Sequence, residues 1–311
     1  MPSKNDPSQR KNIPLPSLQK PEVLFFNGAL RPWEDAVLHF SSEGVQRGLN
    51  VFEGLKAVHQ PNGHMALIAM PAHYKRLCQS ARLLHMPFNM SYDDFLRACR
   101  SVVDALSTPE KDMWLRPTLY MIEGHWGQGD RTDLIVPGYQ HPKSFPNDIK
   151  SGVSTWQRAS DLTLPARIKT AANYQVARLV KIEGRSRGYP EMVLLNRSGR
   201  VAEFIGSALL MVRDGIVVTP PPSEGCIESI TVDILEELAI DLGIEFVRRP
   251  IERTELVIAD EIGSCGTLND ITVVSDFDER PMGEAPTLTA LRKRYRDAIG
   301  GIQPHKAVEL S

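Results

Sequence analysis

The amino-acid sequence predicts an α+β protein with two domains. Its 311 residues exceed what a small single-core module needs and suit two domains that share one cleft. Short stretches with strand periodicity occur together with longer stretches of helical periodicity, which is typical of α+β folds. Between residues 124 and 150 the composition shifts to Gly, Pro, Asp and His, as in a linker or an active-site loop. We therefore expect a disordered arm over residues 1–20, a small N-terminal domain over 21–145 and a larger domain over 146–311.

The composition excludes several classes of function. With 42% hydrophobic and 24% charged residues and a net charge of −2, the chain resembles an ordinary globular protein that has no electrostatic attraction to nucleic acid. It has no apolar run near the roughly 20 residues that cross a bilayer. The four cysteines are dispersed and no histidine cluster has metal-ligand spacing. We expect a protein of the reducing cytoplasm, without a metal, membrane or nucleic-acid partner.

The first half of the chain predicts strands followed by helices. Residues 23–67 have strand patterns with turn signals at Asn27-Gly28 and at 61–63, which favours an antiparallel meander. Pro71 opens a helical pattern, and residues 92–106 form a second one. Residues 113–122 are predicted to be one further strand.

The second half predicts short strands and one long helix. Strand patterns occupy 153–159, 191–196, 207–212 and 216–221. A helix ending near Gly243 follows, with a buried stripe formed by Ile230, Ile234, Leu235, Leu238 and Leu242.

Lys169 is the candidate for covalent, Schiff-base catalysis. Such chemistry needs a neutral amine that faces a cleft, and Lys169 lies beside the small segment Thr170 to Ala172. Arg167 is two positions earlier and would share its face on a strand. A lone lysine is more often a solvated surface cation, so the surrounding residues decide its interpretation.

The surrounding residues offer what pyridoxal 5′-phosphate (PLP) requires. This cofactor needs a carboxylate at its ring nitrogen and a neutralised phosphate. Glu203 follows a predicted strand and turn that would bring it back toward the core, where it would need a cationic partner. The helix start at Ser229 to Thr231 offers unpaired backbone N–H groups and two hydroxyls for a phosphate.

Eight motifs occur in a fixed order along the chain: FFNG (25–28), VFEG (51–54), HYKRLCQSA (73–81), WLRP (114–117), IKTAANY (168–174), SGRVAE (198–203), I-x-S-I-T (227–231) and SCGTL (264–268). This series resembles the class IV, or fold-type IV, aminotransferases, and VFEG and LRP are most similar to those of branched-chain amino-acid aminotransferases. The resemblance implies a two-domain fold like that of D-amino-acid aminotransferase, with a small α/β N-terminal domain and a larger pseudo-barrel C-terminal domain. It also implies PLP as cofactor and a homodimer or larger homo-oligomer.

The resemblance also implies a role for individual residues. Lys169 would be the catalytic residue that binds PLP and moves protons between substrate and cofactor. Tyr174 would bond the phenolic oxygen, and Glu203 the pyridine nitrogen. The cofactor phosphate would be bound by Arg76, Ile230, Thr231 and Thr267. Gly266, Thr267 and Leu268 would line the substrate-carboxylate side, and Phe52, Gly54, Trp114 and Arg116 the side-chain pocket.

The implied reaction is transamination between a branched-chain-like or acidic amino acid and a 2-oxo acid such as 2-oxoglutarate. Three departures from the family pattern leave alternatives open: Arg47 before the VFEG strand, Ala208 where an Asn is usual, and Val232 in the phosphate turn. The alternatives are a D-amino-acid or (R)-amine transaminase, an aminodeoxychorismate lyase, or an inactive PLP-binding relative.

Two basic residues beside the VFEG strand suggest an acidic substrate. If the strand is continuous, Lys56 shares a face with Phe52 and Gly54 and either binds a substrate carboxylate or reaches solvent from the strand end. Arg47 would add a second cation near the cleft. We therefore include Arg47 and Lys56 among the predicted substrate residues.

Overall fold

The computed structural model describes residues 20–125, 127–141, 143 and 148–311. The predicted arm over 1–19 and the predicted domain boundary at 145/146 lie outside these residues. Among the described residues, no helix is long and apolar enough to span a bilayer.

An antiparallel sheet forms the first half of the molecule. Its strands are β1 (Val23–Phe26), β2 (Ala29–Pro32), β3 (Asn50–Phe52), β4 (Leu55–His59), β5 (Met65–Leu67), β6 (Asp112–Leu115), β7 (Thr118–Met121) and β8 (Thr132–His141). The strand order is β2-β1-β8-β6-β4-β5, and β7 pairs with both β3 and β8. The helices of this half are α1 (Glu43–Gln46), α2 (Met70–Leu83) and α3 (Tyr92–Leu106).

The prediction of a simple meander is wrong, although both hairpin turns form. β1 pairs with β2 and β4 with β5, but β1 also pairs with β8, more than 100 residues away. Consecutive strands therefore do not account for the sheet.

The predicted single strands around VFEG and LRP are also each broken in two. Glu53 and Gly54 separate β3 from β4, while Arg116 and Pro117 separate β6 from β7. Pro117 lacks a backbone N–H, and its carbonyl accepts from the Glu53 N–H at 2.9 Å. The two breaks face each other, so the sheet divides at the position where the cavity described below lies.

A mixed sheet forms the second half. Its strands are β9 (Asp148–Gln157), β10 (Glu191–Leu195), β11 (Val201–Phe204), β12 (Ala208–Arg213), β13 (Ile216–Thr219), β14 (Phe246–Arg248), β15 (Glu261–Gly266), β16 (Asp270–Phe277) and β17 (Arg280–Pro281), in the order β11-β10-β9-β16-β15-β12-β13-β14 with β17 beside β16. The Val201 N–H donates to the Ile251 carbonyl, and Arg200 bridges Glu252. The two ends of the sheet therefore meet, as the pseudo-barrel prediction requires.

Three helices pack against this second sheet: α4 (Gln175–Arg187), α5 (Ile230–Asp241) and α6 (Pro286–Ile299). The α5 prediction is confirmed except that Leu242 lies beyond the helix and is 40% exposed. Sequence analysis missed α4, which buries only Val180 and Gly184 and so has little helical periodicity. It also missed α6, although Leu288, Leu291 and Tyr295 have helical spacing.

The last residues of the chain return to the first sheet. Leu67 and Ser311 exchange two backbone hydrogen bonds, and Ile68 bridges Leu310. The two halves are therefore joined at this edge as well as across the cavity.

Candidate active site

A cavity of about 200 Å³ lies between the two sheets. Its walls come from the broken strands of the first sheet, the loop before α4, the β11–β12 turn, the start of α5 and the β15–β16 turn. Thirteen of the predicted site residues line it: Phe52, Gly54, Arg76, Trp114, Arg116, Lys169, Tyr174, Glu203, Ile230, Thr231, Gly266, Thr267 and Leu268. Segments from both ends of the sequence thus converge on one site.

Lys169 lies in a loop and not on a strand. Its backbone N–H donates to Ser80 Oγ at 3.1 Å, and its carbonyl accepts from the Phe52 N–H at 2.9 Å. Helix α2 and strand β3 therefore fix the lysine backbone. The Nζ atom donates to the Tyr174 hydroxyl at 3.0 Å and lies 5.1 Å from the centre of the Phe52 ring. The loop also turns Arg167 to an exposed position, where it pairs with Asp161 and Glu228.

Glu203 is a buried carboxylate on β11. Its Oε1 lies 2.7 Å from Arg158 Nε, and its Oε2 accepts from the Ile227 N–H at 3.1 Å. Burial raises the pKa of Glu203, while the Arg158 guanidinium and this N–H oppose the rise. The expected cationic partner of Glu203 is thus present in the chain itself as Arg158, a residue that no sequence motif had indicated.

Arg76 is held by a second buried carboxylate. Its Nε and Nη2 donate to the two oxygens of Glu53 at 2.8 and 2.7 Å, and its Nη1 donates to the Glu228 carbonyl. His73 Nδ1 is 2.7 Å from the same carboxylate. Burial alone would raise the pKa of Glu53, but Arg76 and His73 hold it well below its usual range. Arg76 is therefore a fixed cation at one end of the cavity.

The start of α5 lies in the wall that also contains Arg76. Ser229 caps the helix, since its Oγ accepts from the Val232 N–H at 3.3 Å. Ile230 and Thr231 form the first turn and line the cavity. The first N–H groups of a helix have no partners within it and attract anions. Together with Arg76 they form a site suited to a phosphate.

Several polar groups on the other side of the cavity lack partners within the described part of the chain. Trp114 Nε1 and Ser207 Oγ are buried without a hydrogen bond. Across the part of the chain that the structure describes, no hydrogen bond uses the backbone N–H of Thr267 or Leu268. The Ser207 side chain lies near Gly266, where a Cβ would be 3.6 Å from Ser207 Cβ. Ser207 was overlooked in the sequence, although it directly precedes the departure at Ala208.

Arg116 is a cation in this same region. Its guanidinium carbon lies 4.0 Å from the centre of the Phe52 ring, a cation–π contact. Burial lowers the pKa of Arg116. No carboxylate of a described residue lies within salt-bridge distance of it. Arg116 can therefore accept a carboxylate from a ligand.

Two predicted substrate residues do not line the cavity. Lys56 is buried with its Nζ 2.6 Å from Asp270 Oδ1, because the break at Glu53 and Gly54 ends the alternation that would have placed it beside Phe52. Arg47 follows α1, is exposed, and donates to Glu43 Oε1 at 3.0 Å. The structure thus contradicts the predicted placement of both residues.

Comparisons with known proteins agree on one family. The model of the family "Amino-transferase class IV" matches residues 50–277, so the chain belongs to the class IV aminotransferases. The branched-chain-amino-acid aminotransferase of Escherichia coli K12 is 31% identical over 293 residues, 91% of this chain and 94% of that protein.

Solved structures give the same result. The PLP form of the branched-chain amino acid aminotransferase from Thermobaculum terrenum has a TM-score of 0.85 and 31% identity, covering 94% of this chain and 98% of that one. A thermophile branched-chain enzyme, designated T.th., complexed with N-(5′-phosphopyridoxyl)-L-glutamate has a TM-score of 0.85 and 28% identity, covering 91% and 95%. The same enzyme has also been solved with 4-methylvaleric acid.

Proposed function

Because the chain belongs to the class IV aminotransferases and is a PLP-dependent transaminase, we propose that it exchanges amino groups between an aliphatic amino acid and the glutamate/2-oxoglutarate pair. The observation that carries this proposal is Arg116, a buried guanidinium beside the cavity without a carboxylate partner among the described residues. The T.th. relative binds both a glutamate adduct and an aliphatic acid, which supports the same pair of substrate types here.

The residues around the cavity fit PLP. Glu203 supplies a buried carboxylate for the ring nitrogen, and Tyr174 a hydroxyl for the phenolic oxygen. Arg76 and the first turn of α5 supply a cation and N–H donors for the phosphate. Bound PLP supplies an electron sink that makes the α-proton of an amino acid acidic.

Lys169 is the residue that holds the cofactor and moves the proton. Its amine takes the proton from the substrate α-carbon and returns it on the other side of the transfer. Tyr174, 3.0 Å away, orients the amine. The hydrogen bonds to Ser80 and Phe52 fix the lysine backbone, so its side chain keeps one position relative to the substrate.

Glu203 keeps the ring nitrogen protonated, and Arg158 keeps Glu203 ionised. A carboxylate can hold a proton on the ring only while it carries its own charge, and burial alone would neutralise it. The Arg158 guanidinium at 2.7 Å opposes that effect. Arg158 therefore acts through Glu203 and not directly on the substrate.

The substrate binds between the β15–β16 turn and Arg116. The N–H groups of Thr267 and Leu268 receive its α-carboxylate, which every amino-acid and 2-oxo-acid substrate carries. Arg116 pairs with the distal carboxylate of glutamate, while its stacking on Phe52 leaves an apolar ring surface for an aliphatic side chain. One pocket can thus hold both substrate types in turn.

Replacing Arg116 tests this proposal. In Arg116→Met the kcat/KM for L-glutamate should fall about 10- to 100-fold, because a charge-assisted hydrogen bond contributes roughly 1.5–3 kcal/mol. The kcat/KM for L-leucine should change by less than about threefold, since no carboxylate is lost. Equal losses for both donors would contradict the role of Arg116. A donor screen that includes D-alanine and a chiral amine separates this function from the other class IV activities.

The assembly and location follow the same proposal. We propose a cytoplasmic homodimer or larger homo-oligomer. Val37 and Phe40 in the first half are more than 70% exposed, which favours their burial against a second copy. The four cysteines are free thiols, as suits a reducing compartment.

A further inference from the structure

A buried ion triad joins the two halves of the molecule beside the cavity. Lys56 Nζ on β4 is 2.6 Å from Asp270 Oδ1, and both side chains are 3% exposed. Arg296 on α6 donates to Asp270 Oδ2 at 3.1 Å. One carboxylate thus ties a strand of the first sheet to the C-terminal helix that packs on the second.

Asp270 ends the turn that carries the substrate-side backbone. Residues 267–269 connect β15 to β16, and Gly266 pairs with Asp270 across the turn. Residues 266–269 all line the cavity. Asp270 has a φ of 51°, in the left-handed region that a residue other than glycine keeps only where its surroundings hold it. The contacts with Lys56 and Arg296 are constraints of that kind.

Lys56 reaches the cavity only through Asp270. It lies opposite Trp114 in the β4–β6 pair, and Trp114 lines the cavity whereas Lys56 does not. The lysine charge is compensated by a carboxylate at ion-pair distance, in a region from which water is largely excluded. Its effect on a substrate must therefore pass through the position of the turn.

We propose that Lys56 and Arg296 are positioning residues that hold the Gly266 to Asn269 turn in the conformation that binds the α-carboxylate. This inference rests on the proposed function, in which the N–H groups of that turn receive the carboxylate. A turn fixed in advance binds without reorganisation. Because every substrate carries the α-carboxylate, the triad serves aliphatic and acidic substrates equally, whereas Arg116 serves acidic ones alone.

The test removes the lysine charge and keeps its length. In PLP-loaded Lys56→Met, the Kd for 4-methylvaleric acid, measured by calorimetry, should rise about tenfold. The KM values for L-leucine and L-glutamate should rise by the same factor, with kcat changed less than about threefold. Lys56→Arg should restore all three to within about threefold of the wild type. Lys293→Met, an exposed lysine on α6, is the matched control and should change none of them.

The outcomes separate this proposal from the proposed function. An unchanged Kd and KM at equal PLP content, with only a lower Tm, would mean that the triad is purely structural and would overturn the inference. A loss confined to L-glutamate would overturn it too, because it would indicate direct contact with the distal carboxylate. If Lys56→Met does not fold, Arg296→Gln is measured instead, and an unchanged Kd there rejects the proposal. Failure of the Arg116 prediction would leave the 4-methylvaleric acid measurement readable.

Discussion

The two sides of the cavity differ in how their charges are compensated. On the side predicted to hold the cofactor, Arg76 is paired with Glu53, and Glu203 with Arg158. Lys169 is also hydrogen-bonded within the chain, to Tyr174.

On the substrate side the pattern is reversed. Within the described residues, the Arg116 guanidinium has no carboxylate partner, Trp114 Nε1 has no acceptor, and no hydrogen bond uses the N–H of Thr267 or Leu268.

This difference indicates how the protein divides its binding groups. Paired buried charges are rigid, so the cofactor side is preorganised for one permanent occupant. Unpaired donors favour a ligand that supplies acceptors, so the substrate side suits ligands that enter and leave in each cycle. Substitutions on the first side should therefore affect chemistry, and those on the second should affect substrate preference.

The largest expected effect comes from Lys169. We expect Lys169→Ala to lower kcat by at least about 10³-fold, because it removes the group that moves the proton. PLP should still bind, since Arg76 and the α5 N–H groups do not depend on the lysine. Steady-state rates and the absorbance of the bound cofactor measure both effects.

Borohydride treatment provides the control for this prediction. Reduction of the wild-type holoenzyme should fix the cofactor on the peptide that contains Lys169, as mass spectrometry would detect. Labelling of another lysine would overturn the assignment of Lys169.

A smaller effect is expected at the Glu203–Arg158 pair. Glu203→Gln should lower kcat about 10²-fold with a smaller effect on PLP affinity, because an amide cannot keep the ring nitrogen protonated. A rate equal to that of the wild type would mean that Glu203 does not serve the ring.

The pH profile sharpens this prediction. Burial raises the pKa of Glu203 and Arg158 opposes that rise, so Arg158→Met should raise the pKa further. Because the ionised carboxylate is the active form, activity is lost as the pH falls through this pKa. The acid limb of the kcat profile should therefore move to higher pH in Arg158→Met, and a limb that does not move would contradict the proposed role of Arg158.

The smallest effect is expected at Arg47. Its side chain is exposed and pairs with Glu43 outside the cavity, so Arg47→Tyr should leave the ratio of kcat/KM for L-glutamate and L-leucine within about twofold. The opposite result, a shift toward leucine, would restore the sequence-based hypothesis that Arg47 selects acidic substrates. Measuring both donors with one preparation provides the internal control.

Local signals in the sequence were sufficient for many of the elements. Helix α3 begins and ends at the predicted residues, because Ser91 caps its first turn and apolar positions recur at helical spacing. The Asn27-Gly28 hairpin forms because both residues adopt the left-handed backbone that this turn requires. The ordered motifs also brought Lys169, Glu203 and Arg76 together before any coordinates were considered, because each motif keeps its own local sequence context.

Only the tertiary structure decided which charges are paired. Lys56 and Asp270 are separated by 214 residues, and neither strand periodicity nor composition specifies that they meet. The alternation argument for Lys56 failed because it assumed one continuous strand, whereas the backbone breaks at Glu53 and Gly54 opposite Pro117. Arg158 carried no local signal for the same reason, since its role depends on a carboxylate that is distant in the sequence. Sequence patterns report the neighbours of a residue along the chain, while the compensation of a buried charge depends on neighbours in space.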